Sequence, residues 1–164
     1  MLIGPPGSGK TTVGTVLAAR LGVPFTDTDT VIEVAAGKPV GDIFITDGEP
    51  EFRRLERDAV AAALDTHDGV IGLGGGAVMD SETQSRLAGH RVVYLQTGFT
   101  ELARRVGLDR ARPLLIGTNP RAQLKALLDE RLPVYDGLAW LTVGTDGRGP
   151  EEVAAEIAAA VTAQ

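Results

Sequence analysis

The chain predicts an α/β fold, with a five-stranded parallel sheet, helices on both faces and a mobile lid. Three observations carry that expectation. Short apolar runs alternate with helical-period segments from end to end, the order that crossover helices impose on a parallel sheet. Gly4-Pro5-Pro6-Gly7-Ser8-Gly9-Lys10-Thr11 meets the phosphate-loop pattern G-x-x-x-x-G-K-[ST] at every fixed position. Between about 107 and 120 the periodicity gives way to Arg, Asp, Pro, Gly and Asn. That stretch is too long and too polar for a packed connection, so it is expected to be a loop over a site. The 164 residues are expected to form one domain over 1–164, long enough to bury a core.

In chain order, Leu2-Ile3 reads as the end of a strand and 12–21 as a helix with Val13, Val16, Leu17 and Leu21 on one face and Gly22 as its stop. Residues 24–27 are a short strand. Thr28 or Asp29 is the expected cap of a helix through Val31, Ile32, Val34 and Ala35 that ends at Gly37. A short helical piece spans 42–45. Pro50 opens a longer helix whose apolar face is Phe52, Leu55, Ala59, Val60 and Ala63. Residues 69–73 are a buried strand running into Gly74-Gly75-Gly76, and Ser81 is the expected cap of a short helix. The run 92–95 is apolar throughout, as in a strand covered on both faces. Helices over 99–106 and 121–133, a strand over 140–143 and a helix opened by Pro150 complete the chain. Only Met1-Leu2-Ile3 precedes Gly4, against a mean strand length of about five to six residues. A strand this short is expected to cost stability.

Composition removes several classes of function. Aromatics are only 4% of the chain, so Val, Leu, Ile and Ala must build the core. The absence of cysteine rules out disulfides, thiolate metal sites and cysteine catalysis. His67 and His90 sit in loop-like sequence and are expected to be solvated rather than metal-bound. A net charge of −6 argues against nucleic acid as partner. No apolar run is long enough to span a bilayer and no signal peptide precedes the first strand, so a cytoplasmic protein is expected, with small-molecule ligands and a monomeric state.

The phosphate loop supplies chemistry by itself. Its glycines let successive N–H groups converge on an anion, and the helix that follows adds the positive end of its dipole. Gly7, Ser8, Gly9, Lys10, Thr11 and Thr12 are therefore expected to hold a nucleotide. Lys10 would reach its β- and γ-phosphates, and the Thr11 hydroxyl would ligate Mg²⁺. Asp27-Thr28-Asp29 falls where the second strand ends, the sheet edge at which ligands bind. Two carboxylates spaced by one residue can serve a metal ion and a substrate hydroxyl. Arg53 flanks the core face of its helix and can turn toward a site, whereas Arg54 and Arg57 are expected to be solvated. Three glycines directly after a strand forgo side-chain burial, which close approach of backbone to a small ligand explains.

The order and spacing of these features resemble those of the shikimate kinases, small phosphate-loop enzymes of the nucleoside-monophosphate-kinase-like group. The likeness runs from Gly4–Thr12 through Asp27-Thr28-Asp29, Ile32-Glu33, Ile43-Phe44, Gly48-Glu49, Phe52-Arg53 and Glu56. It continues through Gly74-Gly75-Gly76-Ala77-Val78, Arg112-Pro113-Leu114-Leu115, and Arg131, Pro133 and Tyr135. The resemblance implies Mg²⁺-dependent transfer of the ATP γ-phosphoryl group to the 3-hydroxyl of shikimate. It implies Lys10, Asp29 and Arg112 as catalytic residues, with Asp29 orienting the hydroxyl and Arg112 closing over the phosphoryl group from the lid. Asp27 would assist the Mg²⁺ bound at Thr11. Arg53 and Arg131 would hold the substrate carboxylate, and Gly74, Gly75 and Gly76 would line its ring. Arg105, Arg148 and Pro150 would flank the adenine. Gluconate-type and adenylate-type kinases stay open as alternatives, as does a nucleotide-binding module without chemistry.

Overall fold

The computed structural model describes residues 1–108 and 119–163. Five parallel strands lie in the order β2-β3-β1-β4-β5: β1 (Leu2–Ile3), β2 (Phe25–Asp27), β3 (Val70–Gly72), β4 (Val93–Gln96) and β5 (Leu141–Gly144). The two-residue β1 is central, with Leu2 opposite Gly72 on one side and opposite Val93 on the other. Burying Leu2 and Ile3, 0% and 1% exposed, is worth roughly 1.5–3 kcal/mol each.

The strand period of two divides the core between the sheet's faces. Leu2, Val93, Leu95 and Val143 point to one face, where α1 (Lys10–Leu21) and α8 (Pro150–Thr162) bring Leu17, Ala154 and Ile157. Ile3, Ile71 and Tyr94 point to the other, under Val60 of α4 (Glu49–Thr66) and Tyr135 of α7 (Pro120–Leu138). A third cluster joins α2 (Thr28–Ala36), α3 (Val40–Thr46) and α4 through Ile32, Ile43 and Phe52. Of the apolar residues foreseen on α2 only Ile32 is buried; Val34 is 78% exposed. Gly14 sits inside α1 because a Cβ there would lie 2.3 Å from the Phe25 ring. The helix and β2 are packed too closely for a side chain.

Several local expectations need correction. Asp27, not Thr28 or Asp29, caps α2, its carboxylate accepting from the Asp29 amide at 3.0 Å. Asp80, not Ser81, caps α5 (Ser81–Leu87), accepting from the Thr83 amide at 2.9 Å. In both cases the residue still in extended conformation is the one whose side chain can fold back onto the first turn. The α7 helix runs through Pro133 and on to Leu138 instead of stopping. Pro133 is exposed, as is Asp129 four residues before it, so the carbonyl left without an amide partner can be solvated. His67 is half-buried, with its Nε2 enclosed. α7 begins at Pro120, capped by the Asn119 side chain, at the far end of the lid expected over about 107–120. Most of that stretch, Arg112 included, lies outside the described residues.

Candidate active site

The C-terminal ends of the strands share one edge, and the order reverses on either side of β1, which places a crevice where the phosphate loop leaves the sheet. Gly9 takes a left-handed conformation (φ 94°) immediately before α1, a turn that glycine alone makes without strain. The half-buried Lys10 curls back and donates to the carbonyls of Gly4 (2.8 Å) and Pro5 (3.0 Å). Burial lowers its pKa to about 8, although the charges of Asp29 and Asp27 pull the other way. The exposed Thr11 donates from Oγ1 to Asp27 Oδ2 at 2.7 Å. Asp27 thus does two jobs, one carboxylate oxygen on the α2 amide and the other on the phosphate-loop hydroxyl.

A cavity of about 370 Å³ opens beside the loop, lined by residues 7–9 and Thr12 on one side and by Arg105, Arg148 and Pro150 on the other. Seven of the residues expected at the nucleotide, drawn from three separate parts of the chain, therefore line one cavity; Lys10 and Thr11 are not in its lining and Arg112 lies outside the described residues. Arg105 is more constrained than a simple adenine contact. At the end of α6 (Phe99–Arg105), its guanidinium donates to Glu101 (2.7 Å), to Thr145 O (3.1 Å) and to the phosphate-loop carbonyl of Gly7 (3.3 Å). It ties the phosphate loop to the loop after β5. A buried hydrogen bond between the Thr97 and Thr145 hydroxyls, 2.6 Å apart, holds that second loop to the end of β4. Arg148 donates to the Gly144 carbonyl at 2.9 Å and pairs with Glu152 and Glu156 of α8.

On the opposite side of the crevice Asp29 is directed at the 74–76 turn. A Cβ on Gly74 would lie 2.6 Å from Asp29 Oδ1 and 2.8 Å from Glu56 Oε1; one on Gly76 would lie 2.7 Å from Arg53 Nη1 and 3.2 Å from Arg131 Nη2. A side chain at Gly74 or Gly76 would therefore have to displace the site's own carboxylates or guanidinium groups. Gly75 meets Pro6 of the phosphate loop, 2.9 Å from where its Cβ would be, so the turn touches the nucleotide side as well. The turn is anchored twice, by its Gly74 amide donating to Thr28 Oγ1 (3.0 Å) and by Tyr135 Oη donating to the Gly75 carbonyl (2.5 Å).

Asp29 Oδ1 is buried and has no hydrogen-bond partner among the described residues. Burial raises the Asp29 pKa, the neighbouring Asp27 charge raises it further, and Lys10 opposes both. Arg53 lies over the Phe52 and Phe44 rings, 5.3 and 5.9 Å from their centroids, and bonds Glu56 at 2.7 Å. Glu56 is only 3% exposed, and burial pushes its carboxyl up against the pull of Arg53. Arg54 is solvated as foreseen, paired with Glu51 and Asp58, whereas Arg57 reaches Asp80 at 3.5 Å. Glu56 and Tyr135 entered the sequence reading only as motif positions without a role. For Glu56 the signal was present: a carboxylate three residues after Arg53 on one helix face is placed to pair with it.

The site offers hard oxygen donors for a cation at Thr11 and Asp27, the chemistry Mg²⁺ takes. No group of three or more His, Cys, Asp or Glu among the described residues could hold a metal by itself, so phosphate oxygens and water would have to complete the shell. No helix among the described residues is long and apolar enough to cross a membrane.

Comparison with known proteins agrees with this arrangement. A family model for shikimate kinase matches residues 6–162. The chain is 62% identical over 158 residues to a shikimate kinase of Thermobifida fusca, covering 96% of this chain and 91% of that one. It is 56% identical over 163 residues to one from Salinispora arenicola, covering 99% and 97%. Among solved structures, a shikimate kinase from Acinetobacter baumannii in complex with shikimate is similar with a TM-score of 0.89 and 35% identity, over 99% of this chain and 91% of that one. A phosphate loop, an acidic pair and an arginine-lined glycine turn at one sheet edge, matched across nearly the whole chain by proteins of one kind, make this chain a member of the shikimate kinase family.

Proposed function

We propose that the chain transfers the γ-phosphoryl group of ATP to the 3-hydroxyl of shikimate. The observation that carries this reading is Asp29. Its buried, unpartnered carboxylate oxygen stands between a phosphate loop and a pair of guanidinium groups, where a hydroxyl acceptor bearing a carboxylate would fit. Arg53 and Arg131 hold the acceptor's carboxylate, since planar guanidinium forks match a carboxylate's two oxygens. The glycine turn at 74–76 leaves room for the ring.

Asp29 accepts the hydrogen bond of the attacking hydroxyl and orients its oxygen toward the γ-phosphorus. A new P–O bond forms there, the bond from the γ-phosphorus to the β–γ bridging oxygen breaks, and ADP leaves. The hydroxyl proton passes to Asp29 and then to solvent. Burial and the Asp27 charge raise the Asp29 pKa, which makes it a better proton acceptor than a solvated carboxylate. Lys10, released from the Gly4 and Pro5 carbonyls, neutralises phosphate charge. Thr11 and Asp27 would hold Mg²⁺, which would supply positive charge to the phosphates. Arg105, Arg148 and Pro150 flank the adenine, and the family resemblance assigns Arg112 to the transferring group.

ADP release with Mg²⁺–ATP, with shikimate, gluconate and AMP offered in parallel, tests the reading. Turnover with shikimate alone is expected. Turnover with AMP or gluconate instead would overturn it, and nucleotide binding with no turnover would mark a binding module.

A further inference from the structure

We infer that Tyr135 is a positioning residue for the acceptor pocket, fixing through its hydroxyl the peptide plane that sets the glycine turn against the two arginines. The inference rests on the acceptor pocket being where the preceding reading puts it. Four observations lead to Tyr135. Its hydroxyl donates to the Gly75 carbonyl at 2.5 Å. Its ring is 1% exposed and stacked on Tyr94, with centroids 5.1 Å apart and planes at 22°. That stack leaves the phenol little freedom to move away. The hydroxyl also meets Arg131: burial raises the Tyr135 pKa, while the Arg131 charge and a hydrogen bond from its guanidinium pull it down. Finally, Arg131 and Tyr135 are one helical turn apart on α7, so they share a face.

The consequence follows from peptide geometry. A trans peptide points its C=O and the following N–H in opposite directions, and no peptide among the described residues is cis. Holding the Gly75 carbonyl toward α7 therefore turns the Gly76 amide the other way. It also holds Gly76 Cα where an added Cβ would overlap Arg53 Nη1, at 2.7 Å, and sit tightly against Arg131 Nη2, at 3.2 Å. Without the phenol oxygen the Gly75 carbonyl has no partner on that side, and glycine backbone is free to rotate. One helix then supplies both a guanidinium group of the clamp and the hydroxyl that holds the opposing wall. That requires α7 to continue past Pro133, which it does.

Tyr135→Phe removes one oxygen and keeps the ring stack. The KM for shikimate is expected to rise about tenfold, the cost of leaving one buried acceptor unpaired, while the KM for ATP stays within about twofold. A purely structural tyrosine would lower the melting temperature and move both KM values together, or neither, and either result overturns the inference. Arg53→Lys, assayed alongside, separates the two levels. If it leaves the shikimate KM unmoved, the pocket itself is misplaced; if it raises that KM and Tyr135→Phe does not, only the positioning role fails.

A second measurement keeps Tyr135 intact, in case the variant folds poorly. The chain has two tyrosines, so 3-fluorotyrosine in a Tyr94→Phe background labels Tyr135 alone. Its ¹⁹F resonance is expected to shift on adding shikimate without nucleotide. No shift at saturating shikimate would count against the inference.

Discussion

The two sides of the crevice are built on different principles. The nucleotide side begins as eight consecutive residues, Gly4 to Thr11, and most of what it offers an anion is backbone. The acceptor side has no such run: Asp29 comes from α2, Arg53 and Glu56 from α4, the glycines from the turn after β3, and Arg131 and Tyr135 from α7. On the proposed reading its recognition is carried by side-chain charge, with side chains absent from the glycine turn among those groups. A contiguous backbone site tolerates most side-chain changes outside its fixed positions. A site assembled from four elements depends on each group separately, and its members can be broken one at a time. Asp27 and Asp29, two residues apart, stand on either side of this division.

The sharpest way to break the comparison is at that pair. Asp29→Asn keeps the size and a hydrogen-bond acceptor but removes the charge that orients the hydroxyl and takes its proton. General base assistance of this kind is worth roughly 10²–10⁴-fold, so turnover is expected to fall by that range with Mg²⁺–ATP affinity nearly unchanged. Asp27→Asn should behave as a nucleotide-side change, with a raised Mg²⁺ requirement and turnover partly restored by excess metal, because the bond from Thr11 loses its charged partner. Asp27 also caps α2, but asparagine caps a helix about as well as aspartate, so the melting temperature is expected to change little. Mg²⁺ titrations of initial rate, with melting temperatures, distinguish the two. Identical metal dependence would erase the division.

A smaller effect is expected within the acceptor clamp. Arg53→Lys and Arg131→Lys retain charge but lose the planar fork, and each should raise the shikimate KM by about one to two orders of magnitude while sparing the ATP KM. For Arg53 the loss includes its bond to the buried Glu56, so a lower melting temperature is expected there and not at Arg131. Arg54→Lys, on the exposed face of the same helix, should change neither constant. Equal losses for both substrates would show that the two sides share a wall the comparison treats as separate, and the contact of Gly75 with Pro6 is where to look.

This contrast also explains what could be read before folding. The phosphate loop was legible because its function is local: the residues that bind are neighbours, and each is there for a reason that spacing reveals. Alternation of apolar runs was enough for the sheet and its helices, since burial on a period of 2 or 3.6 leaves its mark in the sequence. The caps were misplaced by a residue because Asp27-Thr28-Asp29 and Asp80-Ser81 each offer adjacent candidates, and only backbone conformation chooses between them. Pro133 read as a stop because its solvated surroundings were not visible. On the acceptor side, Gly74 to Gly76 were legible as a close approach, but not to what. That Asp29, Glu56 and Arg53 crowd them depends on α2 and α4 meeting the end of β3, a tertiary fact. Tyr135 pairs with Gly75 across 60 residues, and no local pattern announces such a partner.

The mildest effect comes from pH, and it sharpens the comparison because the two sides should titrate in opposite directions. Lys10 is held to about pKa 8, chiefly by burial, below its ordinary 10.5. A folded-state pKa depressed in a lysine penalises the charged form, so its cost to stability is present below about pH 8 and is relieved as pH rises toward 10.5. Binding runs the other way. Phosphate needs the charged amine, so ATP affinity is expected to hold below pH 8 and to fall about tenfold per unit above it. Proton uptake on nucleotide binding, measured calorimetrically at pH 8.5 in buffers of different ionisation enthalpy, should be substantial and should vanish near pH 6.5. On the acceptor side Asp29 must be ionised to work, and its raised pKa moves the acid limb of turnover above that of an ordinary carboxylate. Asp27→Asn removes the like charge that contributes to that rise, so the acid limb should shift to lower pH. The same charge helps to hold Lys10 up, so the ATP limb should move down as well. An acid limb that stays in place or moves upward in that variant would mean that the Asp27 charge does not act on Asp29.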